Sequence, residues 1–167
     1  GGFVGQFDQV LLPAAPQGLG WDLVVSGNQL ILDLVDLVEV LDVTIGTPGS
    51  NQRSNVNRMT VTFDGLVDID PGAFAVIRRG VPGANVTTSY SAVVNGAGNT
   101  VVTITFSGTS TRTGGNLIDG NYQLTIDPQK VRRAGTSVML DGNGDGQAGG
   151  SYVIGDEEAD RFFARFG

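Results

Sequence analysis

The feature that most constrains the fold is an alternation of apolar and polar residues in three short segments. The segments "MTVTF" (59–63), "TVVTITF" (100–106) and "NYQLTI" (121–126) place large apolar side chains at every second position. Because successive side chains of a strand point to opposite faces, this spacing predicts half-buried strands. Glycine-rich turns separate these and further strand candidates at short intervals. We therefore expect an all-β fold, an antiparallel β-sandwich of immunoglobulin-like or jelly-roll-like type.

Two other segments are less regular. Residues 30–45 carry an acidic residue at every third position, which fits neither one helix face nor one strand face, and their valine content favours two strands. Further on, Asp156 can cap a helix whose apolar stripe contains Phe162, Phe163 and Phe166. We expect one short C-terminal helix there, packed against the sandwich.

Composition excludes several functional classes. The net charge is −7, and the only basic pairs are Arg78-Arg79 and Arg132-Arg133, which argues against binding to nucleic acid. No apolar run approaches the roughly 20 residues that span a bilayer. The chain has no histidine and no cysteine, so the common general base and the usual nucleophile pairs are missing. We expect a protein that is not an enzyme.

Paired carboxylates are the remaining catalytic candidates. Asp68 with Asp70, or Asp141 with Asp145, could in principle serve as the acid and base of a glycosidase. The first pair stands just before a Pro-Gly turn, where turn formation explains it. A metal ion explains the second pair better, because two nearby carboxylates repel each other unless a cation lies between them.

The segment "DGNGDGQAGG" (141–150) resembles the start of an EF-hand calcium loop. Such a loop has oxygen ligands at positions 1, 3 and 5, a glycine at 6 and a carbonyl ligand at 7. Asp141, Asn143, Asp145, Gly146 and Gln147 match these positions in order. The alternative is a pair of tight turns, which Asp-Gly and Asn-Gly also favour. Strict alternation of three oxygen-bearing residues favours calcium with a structural role.

The calcium match stops at position 12. A bidentate carboxylate is expected there, and the residue is Tyr152. Acidic residues shortly afterwards, Asp156 first among them, could supply the missing ligand. It could also come from another strand, for instance from Asp64 or Asp68.

Three further segments carry a family resemblance. These are "QRSNVNRMTVTFDGLVDIDPGAFAV", "GNLIDGNYQLTID" and "MLDGNGDGQAGGSYVIGDEEADRFFARFG". In this order they resemble a module found near the carboxyl end of very large secreted and surface proteins of planctomycete-type bacteria, which is similar to bacterial immunoglobulin-like domains. The resemblance implies an extracellular or cell-surface location, a β-sandwich and calcium, but no activity.

The N-terminal part is similar to something else. The pattern "FDQVLLPAAPQGLGWDL" followed by "GNQLIL" resembles the closing segment of β-rich passenger or solenoid regions. We therefore expect residues 1–37 to be an N-terminal β-strand extension or the end of a preceding β-rich module. Residues 38–167 are expected to form a calcium-stabilised immunoglobulin-like β-sandwich.

These observations favour a non-catalytic structural or adhesive unit of an extracellular bacterial assembly. Phe3, Phe7, Val10 and Leu12 form an apolar strand, limited by Pro13, that could dock on the next copy and build a filament head to tail. Alternatively, the strand completes its own sandwich. The expected partners are thus further copies of the chain or neighbouring modules.

A carbohydrate-binding module is the second functional class. Sugar platforms need exposed aromatic rings, and Trp21, Tyr90 and Tyr152 are the candidates, since Tyr122 alternates with core residues. A single tryptophan is more often buried than displayed. Glycans could also be attached to the protein, because Asn85-Val86-Thr87 matches the acceptor sequence for N-glycosylation.

Overall fold

The computed structural model describes residues 11–47, 55–80 and 85–149, together with the backbone of 152–154 and 165–166. Almost all regular structure in these ranges is β. The strands are β1 (Leu19–Ser26), β2 (Gln29–Asp36), β3 (Val40–Ile45), β4 (Arg58–Phe63), β5 (Val67–Ile69), β6 (Phe74–Arg78), β7 (Asn85–Val94), β8 (Thr100–Ser107), β9 (Gly120–Ile126), β10 (Val131–Arg133), β11 (Tyr152–Ile154) and β12 (Arg165–Phe166). A 3₁₀ turn, Pro128–Lys130, precedes β10.

The strands form three antiparallel sheets. The largest has the order β11-β9-β6-β7-β8-β4-β3, with β12 also paired to β9. A small second sheet pairs β5 with β10, and the third pairs β1 with β2. The expected all-β, sandwich-like antiparallel fold is therefore confirmed.

The large sheet curls so that its two halves share one core. Val61 of β4 and Leu124 of β9 are buried in the same cluster, although β6, β7 and β8 lie between their strands. In a flat sheet these two strands would stand about 19 Å apart, at roughly 4.8 Å per strand. The curling gives each half of the sheet an apolar surface to pack against.

The alternation in the sequence corresponds to burial. Val102, Ile104 and Phe106 of β8 are buried, and Thr103 and Thr105 between them are more exposed. The ambiguous residues 30–45 form β2 and β3, which confirms two strands over a helix.

The predicted C-terminal helix falls mostly outside the described residues, because 155–164 are not among them. Its last aromatic residue, Phe166, belongs instead to β12 and pairs with Gly120 at the start of β9. The prediction of helix was wrong for Phe166. Hydrogen bonding along the free edge of β9 outweighs the helical spacing of the aromatic residues there.

The β1–β2 hairpin, called the ribbon below, turns at Gly27 and Asn28, which are residue types that favour tight hairpin turns. Its root is attached to the sandwich by specific contacts. The buried carboxylate of Asp22 accepts hydrogen bonds from the backbone N–H (2.9 Å) and hydroxyl (2.7 Å) of Ser137. Gly20 lies so close to Val138 that a Cβ on Gly20 would stand 2.4 Å from Cγ1 of Val138.

The ribbon ends at Asp36, and Val38 is already part of the core. The division at residues 37 and 38 into two domains stays a prediction.

Candidate functional site

The Asp-Gly loop begins with a fully buried carboxylate. Asp141 is 0% exposed, and its backbone N–H donates to the carbonyl of Val38. Its Oδ1 accepts from the N–H groups of Gly144 (2.9 Å) and Asp145 (3.3 Å), and its Oδ2 accepts from that of Gly146 (2.7 Å). Gly149 closes the loop by donating to the carbonyl of Leu140. The side chain of Asp141 therefore organises the backbone of the whole turn.

The other predicted ligands lie around this carboxylate. The amide nitrogen of Asn143 donates to Oδ2 of Asp145 at 3.1 Å, and Oδ1 of Asp145 accepts from the N–H of Gln147 at 2.9 Å. All three residues are exposed. The structure thus brings together Asp141, Asn143, Asp145 and Gln147, while Asp156 lies outside the described residues. Gly144 and Gly146 have φ values of +69° and +79°, which explains glycine at both positions.

A second acidic residue adjoins the loop from the strand side. Glu39 forms a parallel bridge with Asp141, and its backbone N–H donates to Oδ1 of Asp64 at 2.8 Å. Burial, reinforced by the negative charges of Asp141 and Asp64, raises the pKa of Glu39 above its ordinary value of 4.5. Pattern matching within residues 141–150 missed Glu39, because only the fold places it beside the loop.

Replacing Glu39 should reveal the cost of this crowding in calcium-free protein. Because the pKa of Glu39 is raised in the folded protein, the ionised form of Glu39 destabilises the fold. This destabilisation is absent below the ordinary pKa, grows as pH rises through the raised pKa and is complete above it. We expect Glu39→Gln to raise the melting temperature at pH 7 in chelator, and the difference from wild type to vanish towards pH 4.5. Asp36→Asn, which removes an equal charge at an exposed site, is the control. An equal gain at every pH would contradict the electrostatic explanation.

The donor chemistry of the loop fits calcium in part. Two carboxylates, one amide oxygen and the carbonyl of Gln147 are hard oxygen ligands of the type that calcium prefers. Within the described ranges, however, no three His, Cys, Asp or Glu side chains are grouped closely enough to hold a metal ion. Asp64 adjoins the loop through Glu39, whereas Asp68 is engaged by the N–H of Gly135. A complete shell would need ligands from water or from residues after 149.

The loop also contacts the root of the ribbon. The carbonyl of Gly146 accepts from the N–H of Gly18 at 3.2 Å, just before β1 begins. A Cβ on Gly146 would lie 2.5 Å from Cγ of Gln17. Gly146 therefore joins the loop to the ribbon, since its N–H is bound to Asp141 and its carbonyl to Gly18.

One face of the ribbon is apolar beyond its root, where Leu19 is paired with Asp36. The register pairs Trp21 with Leu34, Leu23 with Leu32, and Val25 with Leu30, so these six side chains lie on the same face. We call this set the apolar face. Leu30, Leu32 and Leu34 are each about two-fifths exposed, and Val25 is 73% exposed. The residue pairs between them, such as Asp22 with Asp33 and Val24 with Ile31, lie on the opposite face.

The aromatic candidates for sugar binding do not form one platform in the described residues. Trp21 lies on the ribbon, and its indole N–H donates to the carbonyl of Pro13 at 2.8 Å. Tyr90 lies in the large sheet, where its ring meets Phe74 edge-on and its hydroxyl donates to the carbonyl of Ile69. The side chain of Tyr152 is outside the described set. Tyr122 is buried, as expected from its alternation with core residues.

The other predicted sites are only partly described. Asp70 accepts from Nη1 of Arg132 at 2.8 Å, and Asp68 accepts from the N–H of Gly135 at 2.9 Å, so both have structural partners. Asn85 is the first residue of β7, and its backbone pairs with Ile77. Of the predicted assembly strand, Phe3, Phe7 and Val10 lie outside the described residues, and Leu12 is 38% exposed.

Comparison with family models, curated proteins and solved structures finds no match to this chain. Among the described residues, no helix has the length and apolar character needed to cross a membrane. The candidate sites among the described residues are the apolar face and the acidic loop at the ribbon root.

Proposed function

We propose that the protein is a non-catalytic structural unit of an extracellular bacterial assembly and that it associates with a neighbouring unit through the ribbon. The apolar face is the observation that carries this proposal. Six large apolar side chains lie on one side of a two-stranded sheet, and none of the six is fully buried. Exposed apolar patches of this kind typically mark interaction surfaces.

The size of the ribbon supports the same conclusion. An isolated two-stranded hairpin is marginally stable in water, and three or more strands or a packing partner are usually needed. Each buried Leu or Val side chain contributes about 1.5–3 kcal/mol. Covering the apolar face would therefore supply stability that the ribbon lacks alone.

The contacts of the carboxylates favour a structural role over a catalytic one. Asp68 and Asp70 hold the β5–β10 region through Gly135 and Arg132. Asp141 accepts three backbone hydrogen bonds inside its loop. Each carboxylate considered as a catalyst thus has a local task, which supports the proposal without an enzymatic reaction.

Calcium is part of the proposal as a structural ion. Asp141, Asn143, Asp145 and the carbonyl of Gln147 would hold it, with Asp156 as the proposed additional carboxylate. The ion would neutralise the repulsion among the acidic groups around Asp141. Since the loop contacts the ribbon root through Gly146, a bound ion would also stiffen the support of the apolar face.

Sedimentation velocity of the full chain tests the proposed association. In calcium at neutral pH, we expect the average sedimentation coefficient to rise steadily with protein concentration as larger species form. Trp21→Ala is the informative companion variant, because it removes the ring at the root of the apolar face. We expect it to weaken association. A monomer at every concentration in the wild-type protein would contradict the proposal.

A further inference from the structure

We infer that the occupant of the apolar face is the segment 3–12 of a second copy of this chain. The inference rests on the proposed function and names the partner surface for it. The face and the segment are two sets of apolar residues near the start of the sequence. One lies in the ribbon, and the other consists of Phe3, Phe7 and Leu11, which share one face of segment 3–12 if it is extended.

The segment matches the ribbon in length and chemistry. Ten extended residues span about 33 Å, and the eight-residue strands of the ribbon span about 26 Å at roughly 3.3 Å per residue. The segment carries one charged residue, Asp8, and the apolar face carries none. Pro13 ends the segment, since proline interrupts a continuing strand. Segment 3–12 can therefore lie along the whole face without burying several charges.

The donor is placed in another copy because described leucines on both sides of the proposed contact are exposed. Pro13 is held beside Trp21, but Leu11, two residues earlier, is 83% exposed. Leu32, in the middle of the apolar face, is 41% exposed. A segment packed across its own ribbon would bury both leucines.

Pairing of two apolar faces is the less favourable alternative. The face of about 26 Å by 10 Å is the same in both arrangements, but pairing two faces joins only two copies and cannot repeat. It would also leave the apolar residues of segment 3–12 exposed. Donation buries both surfaces at once, and each copy gives one segment and receives another, so the contact repeats without closing.

Two adjacent residues of β2 provide a matched pair of variants of the ribbon that receives the segment. Leu32 is 41% exposed on the apolar face, and Ile31 is 44% exposed on the opposite face. We expect Leu32→Asp to weaken association by at least about 100-fold and Ile31→Asp to change it little, because only Leu32→Asp places a charge under the donated strand. Both variants keep the rest of the sequence unchanged, and their circular dichroism must match wild type.

The donor variant is Phe7→Asp, which leaves the apolar face intact. On its own it should sediment as a monomer, as should Leu32→Asp. An equimolar mixture of the two should form a dimer and nothing larger. The Leu32→Asp chain can still donate its segment 3–12, and the Phe7→Asp chain still has an intact apolar face to receive it. Trp21, the only tryptophan, should shift its emission to shorter wavelength in the mixture as the face is covered.

The outcomes separate this inference from the proposed function. If wild type associates and Leu32→Asp does not, but Phe7→Asp associates normally, the ribbon is the contact surface and segment 3–12 is not the donor. If the mixture stays monomeric while wild type assembles, the inference is overturned as well. A wild-type protein that is monomeric at all concentrations, with emission that does not change, contradicts both proposals.

Discussion

Replacing Asp141 with alanine is expected to destabilise the protein by about 3–5 kcal/mol, as measured by chemical denaturation in chelator. The carboxylate is fully buried and accepts from the backbone N–H groups of Gly144, Asp145 and Gly146. Alanine leaves these groups without their acceptor and removes the atoms of a side chain that is fully buried. A loss of this size is a large fraction of the stability of an ordinary domain.

Asp145→Ala is the control for this experiment. Asp145 is exposed, and its carboxylate accepts from Asn143 and Gln147 at the rim of the same loop. We expect it to cost no more than about 1 kcal/mol without calcium, since water replaces the lost bonds. Equal losses in the two variants would show that the loop is not organised by its buried carboxylate.

Calcium is expected to raise the free energy of unfolding by about 2.7 kcal/mol at a free concentration 100 times the dissociation constant. An ion that binds only the folded loop stabilises it by mass action. The measurement compares thermal or denaturant unfolding in chelator and in calcium, with magnesium as the control ion, because magnesium needs a smaller octahedral site.

Asp145→Asn connects the calcium effect to the loop. It keeps an oxygen at the fifth position of the match and removes one negative charge, so calcium should stabilise it less than wild type. In chelator the two proteins should unfold almost alike, because Asp145 is exposed. Identical unfolding of wild type in calcium and chelator would remove the ion from the proposal.

The strands of the large sheet were predictable because their alternation of apolar and polar residues is visible within a few neighbouring residues of the sequence. In β4, β8 and β9, apolar residues recur at every second position, and these side chains are buried. The hairpin at Gly27 likewise has residue types that favour tight turns. Phe166 shows the limit of such rules, since a free strand edge offered its backbone a better partner than a helix.

The site could be predicted only where its residues are close in sequence. Asp141, Asn143, Asp145 and Gln147 are brought together by one turn. Glu39 is about a hundred residues away, and only the isolated β-bridge between Glu39 and Asp141 brings it to the loop. The apolar face was hidden for a related reason. Leu30, Leu32 and Leu34 alternate as core residues do, and nothing in that spacing says whether a sheet covers them.

The attachment of the ribbon to the loop has a mechanical consequence. If neighbouring units pull on the ribbon, the tension enters the body of the protein through the links at Gly18, Asp22 and Asp36. The first of these leads through Gly146 to Asp141, whose backbone is tied to Val38 in the core. The Asp-Gly loop thus lies on the path that would carry a tensile load. Whatever stabilises this loop would also raise the force needed to detach the ribbon from the sandwich.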